Sequence, residues 1–283
     1  MEDGIKKTKI VECMDIGFYY ILILILTGVG VGFTTGLLGI GGGFILVPIL
    51  FFLLLGIGVD STLAIRIAFG TSLAIILPTA ISSAYGHYRK NQVEIKPAIY
   101  FGISGFLGGI TGGYVATHTP EDILRIIFGF IMLSVALRLL FFKESTDHRE
   151  KMENILLFLV VGFVAGIMSG LIGVGGGIIL IPIMVLIMGY SMKEASGTSS
   201  AVIIVTSLGG IISYILNGLQ ISGLPPYSLG YINLLQLLVI MIFSVPLAQV
   251  GAWASSKLPE NVLRYILVTL QIYISLKMLG VFE

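Results

Sequence analysis

The sequence has few charged residues and a single cysteine. Charged side chains make up 11% of the 283 residues, less than half of the roughly 25% in a typical soluble domain. Hydrophobic residues make up 56%. This composition excludes an ordinary water-soluble fold. The net charge of +1 gives no basic surface for nucleic acid, and Cys13 alone cannot form an internal disulfide.

Charged residues are missing altogether from three long stretches, 16–59, 154–192 and 195–256. Each is longer than the roughly 20 apolar residues that cross a bilayer as a helix. The hydrophobic residues form long runs, without the ten-residue alternation of a membrane β-barrel. The sequence therefore predicts an all-α integral membrane protein. No Asp or Glu lies within an apolar segment, so a carboxylate proton relay is not evident and an anionic cargo is favoured over a cationic one.

A thirteen-residue phrase occurs twice, as GLLGIGGGFILVP from Gly36 to Pro48 and as GLIGVGGGIILIP from Gly170 to Pro182, with nine identical positions. The triplet Gly-Thr-Ser also occurs twice, at 70–72 and at 197–199, each time four residues after a cation. The same order of landmarks indicates an internal duplication. We predict an N-terminal tail (1–15), a first transmembrane repeat (16–142), a charged linker (143–153) and a second repeat (154–283), with about five apolar segments per repeat.

Loop charge predicts how the repeats are oriented. The loop after the third segment carries His87, Arg89, Lys90 and Lys96, whereas its counterpart, 217–230, carries no charge. Because Lys and Arg collect on the cytoplasmic side, equivalent loops are expected on opposite sides, as five crossings per inverted repeat would give. If the glycine-led second segment is only re-entrant, each half has four crossings and the halves are parallel. We expect the inverted arrangement.

Candidate substrate-binding residues fall in the duplicated motifs. Two glycine clusters break the helix and offer backbone N–H groups to an anion; they are Gly39, Gly41, Gly42 and Gly43, and Gly173, Gly175, Gly176 and Gly177. Close helix packing is the alternative explanation. The hydroxyls of Thr71, Ser72, Thr198 and Ser199 would complete the site, unless they bond to their own helix. Arg66 and Lys193 would attract an anion, or would instead extend to the lipid headgroups.

Two enzyme-like patterns carry little weight. Gly102-Ile103-Ser104-Gly105 has the form of an intramembrane protease motif, but the three histidines fall in loops or at segment ends. The glycine phrase fails the dinucleotide pattern at Phe44 and Ile178. We expect no enzyme activity, no cofactor and no metal.

The motifs together resemble the sulfite exporter TauE/SafE family. The resemblance rests on the paired glycine phrase, the two Gly-Thr-Ser triplets, the Tyr85-Gly86-His87-Tyr88-Arg89 loop and the Leu-Pro-Glu start of the last helix at 258–260, and covers about 28–279. It implies a multi-pass permease for sulfur-containing anions such as sulfite, sulfoacetate and other organosulfonates. One departure is THTPEDILR in the first half, where a leucine is expected before Pro120.

We therefore expect a transporter in the lipid bilayer of the prokaryotic cytoplasmic membrane. Its cargo would be a small sulfur-containing anion, moved by alternating access between the repeats. A passive anion channel and a non-transporting receptor or assembly factor are the alternatives. Glycine-rich helix faces could pack within one chain or between chains, so a homo-oligomer stays open.

Overall fold

The computed structural model describes residues 2–39, 41–141, 151–152, 154–254 and 260–280. The predicted linker therefore lies outside the described residues, except for Lys151 and Met152. The regular elements of the described part are helices, apart from one hairpin of two short strands. In chain order they are α1 (Glu2–Leu38), α2 (Gly43–Gly56), α3 (Ser61–Tyr88), α4 (Ile95–His118), α5 (Glu121–Phe141), α6 (Ile155–Ile172), α7 (Gly177–Leu186), α8 (Met192–Gly218), β1 (Ser228–Leu229), β2 (Ile232–Asn233), α9 (Leu234–Ala254) and α10 (Glu260–Met278). The predicted all-α class is confirmed.

Six of these helices are long and apolar enough to cross a bilayer: α1 through its segment Gly17–Leu37, and α3, α4, α6, α8 and α9. Large apolar side chains cover their outer surfaces. Leu107, Leu216 and Ile242 are each more than half exposed, which would be costly in water but suits the hydrocarbon of a bilayer. The chain is therefore a multi-pass membrane protein.

Short polar residues set where the helices begin. Asp60 accepts hydrogen bonds from the backbone N–H groups of Thr62 and Leu63 at the start of α3. Ser191 and Glu194 form a reciprocal capping box at the start of α8. Each arrangement satisfies backbone donors that a helix leaves unpaired at its first turn.

The helices of one half pack mainly against helices of the other half. α1 packs along α9, and its equivalent α6 packs along α4. In both pairs one helix brings a stripe of glycines, spaced four residues apart, against the partner's backbone. These glycines are Gly28, Gly32 and Gly36 in α1 and Gly162, Gly166 and Gly170 in α6. The missing side chains allow the close helix approach that membrane proteins favour.

The central helices α3 and α8 carry the two Gly-Thr-Ser triplets and run antiparallel. Gly70 near the start of α3 lies against Tyr214 near the end of α8, and Gly197 near the start of α8 lies against His87 at the end of α3. The start of α8 and the end of α3 therefore share one end of the molecule.

That end of the molecule, the lysine-rich face, contains Lys90, Lys151 and Lys193. Lys90 Nζ donates to the carbonyl oxygen of Ala252 at 2.6 Å, and Lys151 Nζ lies 2.7 Å from a Glu94 oxygen and 2.8 Å from a Glu194 oxygen. Burial, and then the nearby ammonium of Lys193, lowers the pKa of Lys90. Which side of the membrane this face occupies stays a prediction.

Candidate functional site

Two glycine loops, residues 39–42 and 173–176, separate α1 from α2 and α6 from α7. The three glycines of each loop have matching conformations. The φ angles are 65°, 91° and 66° at Gly39, Gly41 and Gly42, and 70°, 89° and 78° at the equivalent Gly173, Gly175 and Gly176. Side chains rarely adopt this left-handed region, so only glycine fits without strain. The duplicated sequence therefore encodes a duplicated loop.

The two glycine loops meet in the buried centre of the molecule. A Cβ built on Gly43 would lie 2.5 Å from the Cα of Val174, and one on Gly177 would lie 3.0 Å from the carbonyl oxygen of Gly39. Ile76 and Ile203 lie beside both loops, each four residues after the serine of a Gly-Thr-Ser triplet. The clusters predicted from the sequence are therefore brought together.

The second glycine loop presents unpaired backbone donors. Within the described part of the chain, no backbone or side-chain acceptor pairs with the N–H groups of Gly175, Gly176, Gly177 or Ile178. These groups lie at the positive end of α7, where a helix dipole favours negative charge. The loop can therefore donate hydrogen bonds to an anion.

The serines of the two triplets both lie beside the second glycine loop. Ser72 Oγ donates to the carbonyl oxygen of Gly173 at 2.7 Å. Ser199 Oγ is fully buried, has no hydrogen-bond partner among the described residues, and lies 2.9 Å from the Cβ position of Gly177. The first serine therefore holds a loop in place, while the second has a free hydroxyl beside the unpaired amides.

The threonines of the triplets make a different, also duplicated, contact. Thr71 Oγ1 accepts a hydrogen bond from the backbone N–H of Asn233 at 2.9 Å. Thr198 Oγ1 accepts one from the backbone N–H of Glu94, also at 2.9 Å. Asn233 and Glu94 stand just before α9 and α4. Each threonine thus fixes the entry to a helix of the other half, and its role toward substrate stays a prediction.

Arg66 and Lys193 lie at opposite ends of the α3–α8 pair. Arg66 is half-buried and donates to the carbonyl oxygen of Thr119 at 3.3 Å and to the Tyr231 hydroxyl at 3.5 Å. Lys193 is exposed on the lysine-rich face. The structure therefore does not bring the two cations together at the glycine loops.

Three further hydroxyls beside the glycine loops were missed from the sequence. Thr35, Ser169 and Ser196 are buried, and none of their hydroxyls has a hydrogen-bond partner within the described residues. Thr35 and Ser169 each stand four residues before the first glycine of a loop. Extending the repeat comparison eight residues toward the N-terminus would have found this hydroxyl pair, together with the glycine stripes of α1 and α6.

Ser104, in the enzyme-like Gly-x-Ser-Gly pattern, bonds locally. Its hydroxyl donates to the carbonyl oxygens of Tyr100 and Phe101 in the preceding turn of α4. A serine within a helix commonly bonds in this way. The structure therefore gives no support for Ser104 as a nucleophile.

Comparison with known proteins identifies the family of the chain. The family model described as Sulfite exporter TauE/SafE matches residues 24–278. A probable membrane transporter protein of Haemophilus influenzae is 31% identical over 253 residues, which cover 87% of this chain and 93% of the relative. A probable membrane transporter protein of Methanocaldococcus jannaschii is 30% identical over 249 residues, covering 87% and 90%. No solved structure matches the chain. The chain belongs to the sulfite exporter TauE/SafE family, and it is a membrane transporter rather than an enzyme.

Proposed function

We propose that the protein transports a small sulfur-containing anion, such as sulfite, sulfoacetate or another organosulfonate, through a site at the two glycine loops. The observation that carries this proposal is the meeting of free amides and free hydroxyls in an uncharged core. The free hydroxyl of Ser199 lies 2.9 Å from the Cβ position of Gly177, and the amides of residues 175–178 have no acceptor among the described residues. Hydrogen-bond donors without acceptors suit the oxygens of an anion. The family description supports sulfur as the central atom.

We further propose that the two halves form inverted repeats that move by alternating access. The antiparallel course of α3 and α8 supports inversion, because these helices carry the same triplet. Equivalent contacts lie toward the two ends. At the lysine-rich face, His87 Nε2 lies 3.1 Å from the carbonyl oxygen of Gly36. Toward the opposite end, the Tyr214 hydroxyl donates to the carbonyl oxygen of Gly170 at 2.9 Å. Opening one contact while the other holds would expose the site to one side at a time.

The separated cations fit the same proposal. Arg66 and Lys193 are equivalent positions on α3 and α8 and lie toward opposite ends of the molecule. A cation near each entrance would raise the local concentration of an anion arriving from either side. Neither would then need to accompany the anion into the core.

The test is transport by the purified protein in liposomes, with radiolabelled sulfite, sulfoacetate, methanesulfonate and sulfate. We expect saturable uptake of at least one sulfur anion, accelerated when unlabelled anion is loaded on the opposite side. A passive channel would show no such counter-flow. Gly176→Ala should abolish most of the flux, because its φ is 78° and a Cβ would lie 2.8 Å from the carbonyl oxygen of Ala165.

Gly30→Ala is the matched control, since a Cβ at Gly30 has no neighbour within 4 Å. This variant should transport like the wild type. Absence of flux for every anion, in protein that elutes as a folded species, would overturn the proposed cargo. Normal flux in folded Gly176→Ala would show that the glycine loops only pack helices.

A further inference from the structure

The glycine loops are surrounded by four buried hydroxyls that no described residue satisfies: those of Thr35, Ser169, Ser196 and Ser199. The exposed fractions of these residues are 1%, 0%, 7% and 0%. Such orphaned groups are uncommon in folded proteins, because a buried polar atom normally finds a partner. All four lie beside one pair of loops, where a bound ligand would supply the missing partners.

Each hydroxyl lies directly beside a glycine loop. Thr35 Oγ1 is 2.5 Å from the Cβ position of Gly42, and the Cβ of Ser169 is 3.4 Å from that of the equivalent Gly176. Ser196 Oγ contacts Gly39 in the same way. The close fit exists because these glycines have no side chain. A larger residue would fill the space from which the hydroxyls reach the loops.

The site is asymmetric at one pair of equivalent atoms. Ser72 Oγ donates a hydrogen bond to the carbonyl oxygen of Gly173, whereas the equivalent Ser199 Oγ has no partner among the described residues. The amides do not differ in this way, because those of residues 41–44, like those of 175–178, have no acceptor among the described residues. The two halves therefore differ in the serine and not in the backbone donors.

The chain segments that supply these donors carry no formal charge. Thr35 and the first glycine loop lie in the uncharged stretch 16–59, Ser169 and the second loop lie in 154–192, and Ser196 and Ser199 lie in 195–256. Arg66 is engaged by Thr119 and Tyr231 at the end of α3. Hydroxyls and amides can replace water around an anion, but they do not neutralise its charge.

The cost of moving an ion from water into a medium of low dielectric constant rises with the square of its charge. Hydrogen bonds from neutral donors offset part of this transfer free energy. They offset a larger fraction of it for an ion with one charge than for an ion with two. We propose that Thr35, Ser169, Ser196 and Ser199, with the amides of residues 175–178, form an uncharged oxyanion site that selects a singly charged sulfonate over a dianion. This inference rests on the proposed anion transport and narrows its cargo to singly charged anions. It excludes sulfoacetate, whose sulfonate and carboxylate together carry two charges at neutral pH.

The experiment compares two tetrahedral anions of similar size, methanesulfonate with one charge and sulfate with two, at a single pH. Uptake of radiolabelled methanesulfonate into liposomes gives KM, and unlabelled sulfate is added as a competitor. We expect saturable methanesulfonate uptake, with sulfate competing at least tenfold more weakly. The same order should appear when each anion is added to the purified protein and the Tm is measured, because a ligand that binds the folded state raises Tm.

The hydroxyls are tested by Ser199→Ala and Ser169→Ala, each of which should raise the KM for methanesulfonate several-fold. The matched control is Ser207→Ala, also in α8 and fully buried, whose hydroxyl already donates to the carbonyl oxygen of Ile203. It should leave KM unchanged.

Three results would count against the inference. Sulfate competing as well as methanesulfonate, or better, would overturn the charge selection while leaving anion transport intact. An unchanged KM and an unchanged Tm response in both folded serine variants would overturn the assignment of the hydroxyls. Failure of the folded wild type to move or bind either anion would remove the proposed function and this inference with it.

Discussion

At the scale of single residues, the glycine loops need glycine for two reasons, a positive φ and a crowded Cβ position. Elsewhere in the chain the first occurs without the second. Gly173 has a φ of 70°, and a Cβ there would lie 2.7 Å from the Cα of Phe69. Gly58, in the turn after α2, has a φ of 83° but no atom within 4 Å of its Cβ position. Gly58 therefore reports the cost of the backbone conformation alone, and Gly173 reports that cost together with crowding.

We expect Gly58→Ala to lower the free energy of unfolding by about 1 kcal/mol, the cost of placing a non-glycine residue in the left-handed region. Gly173→Ala should cost a further ~1–3 kcal/mol, because rigid backbone atoms must move to admit the methyl group. Unfolding in mixed micelles with a denaturing detergent would measure both. Equal losses in the two variants would show that the loop is not closely packed.

At the scale of helices, two parallel pairs hold the halves together. Gly28 and Gly32 of α1 lie against Ile240 and Ser244 of α9, with Cβ positions 2.8 Å from the Ile240 carbonyl oxygen and 2.6 Å from the Ser244 Cα. In lipid there is little hydrophobic driving force between helices, so such backbone proximity supplies much of the association energy. The glycine stripe explains why α1 pairs with a helix more than 200 residues later in the chain.

Gly32→Ala should therefore destabilise the protein by about 1–3 kcal/mol by separating α1 from α9. Gly30→Ala is the control on the same helix, because its Cβ position is open. It should leave stability unchanged or raise it by up to ~1 kcal/mol, the difference in helix propensity. Thermal unfolding in detergent gives the comparison. A loss of stability in Gly30→Ala equal to that in Gly32→Ala would contradict the role of the stripe.

At the scale of the whole molecule, the two ends of α8 differ in the charge around them. Lys193 lies at the start of α8 on the lysine-rich face, where Lys151 bridges Glu94 and Glu194. Partial burial lowers the pKa of Lys151, but its hydrogen bonds to Glu194 and then Glu94 outweigh burial and hold that pKa well above its ordinary value. The ammonium therefore stays charged. Tyr227 lies beyond the other end of α8, in a loop without charged residues.

We predict that the lysine-rich face is cytoplasmic, because Lys and Arg are retained on that side. In a Cys13→Ser background, Tyr227→Cys should react with a membrane-impermeant maleimide in intact cells, since Tyr227 is 74% exposed. Lys193→Cys should react only after permeabilisation. Labelling of both positions from the same side would contradict the proposed course of α8, and the reverse pattern would invert the whole topology.

The sequence by itself determined the membrane class, the duplication and the glycine loops. Each depends on local properties. Uncharged stretches longer than a bilayer require helices, and clustered glycines stop a helix wherever they occur. Six of the eight glycines proposed for the site adopt the positive φ that only glycine tolerates well. The repeated phrase adopts a repeated conformation because glycine stands at the same positions in both copies.

Only the tertiary structure decided which side chains meet at the glycine loops. Thr71 and Thr198 belong to the same triplets as Ser72 and Ser199, yet their hydroxyls accept from turns of the opposite half. Arg66 and Lys193 were grouped with the site by sequence, but the antiparallel course of α3 and α8 separates them. The hydroxyls of Thr35 and Ser169 are free because the folded chain places no hydrogen-bond partner among the described residues beside them. These outcomes follow from contacts between residues far apart in the chain, which local pattern and composition do not specify.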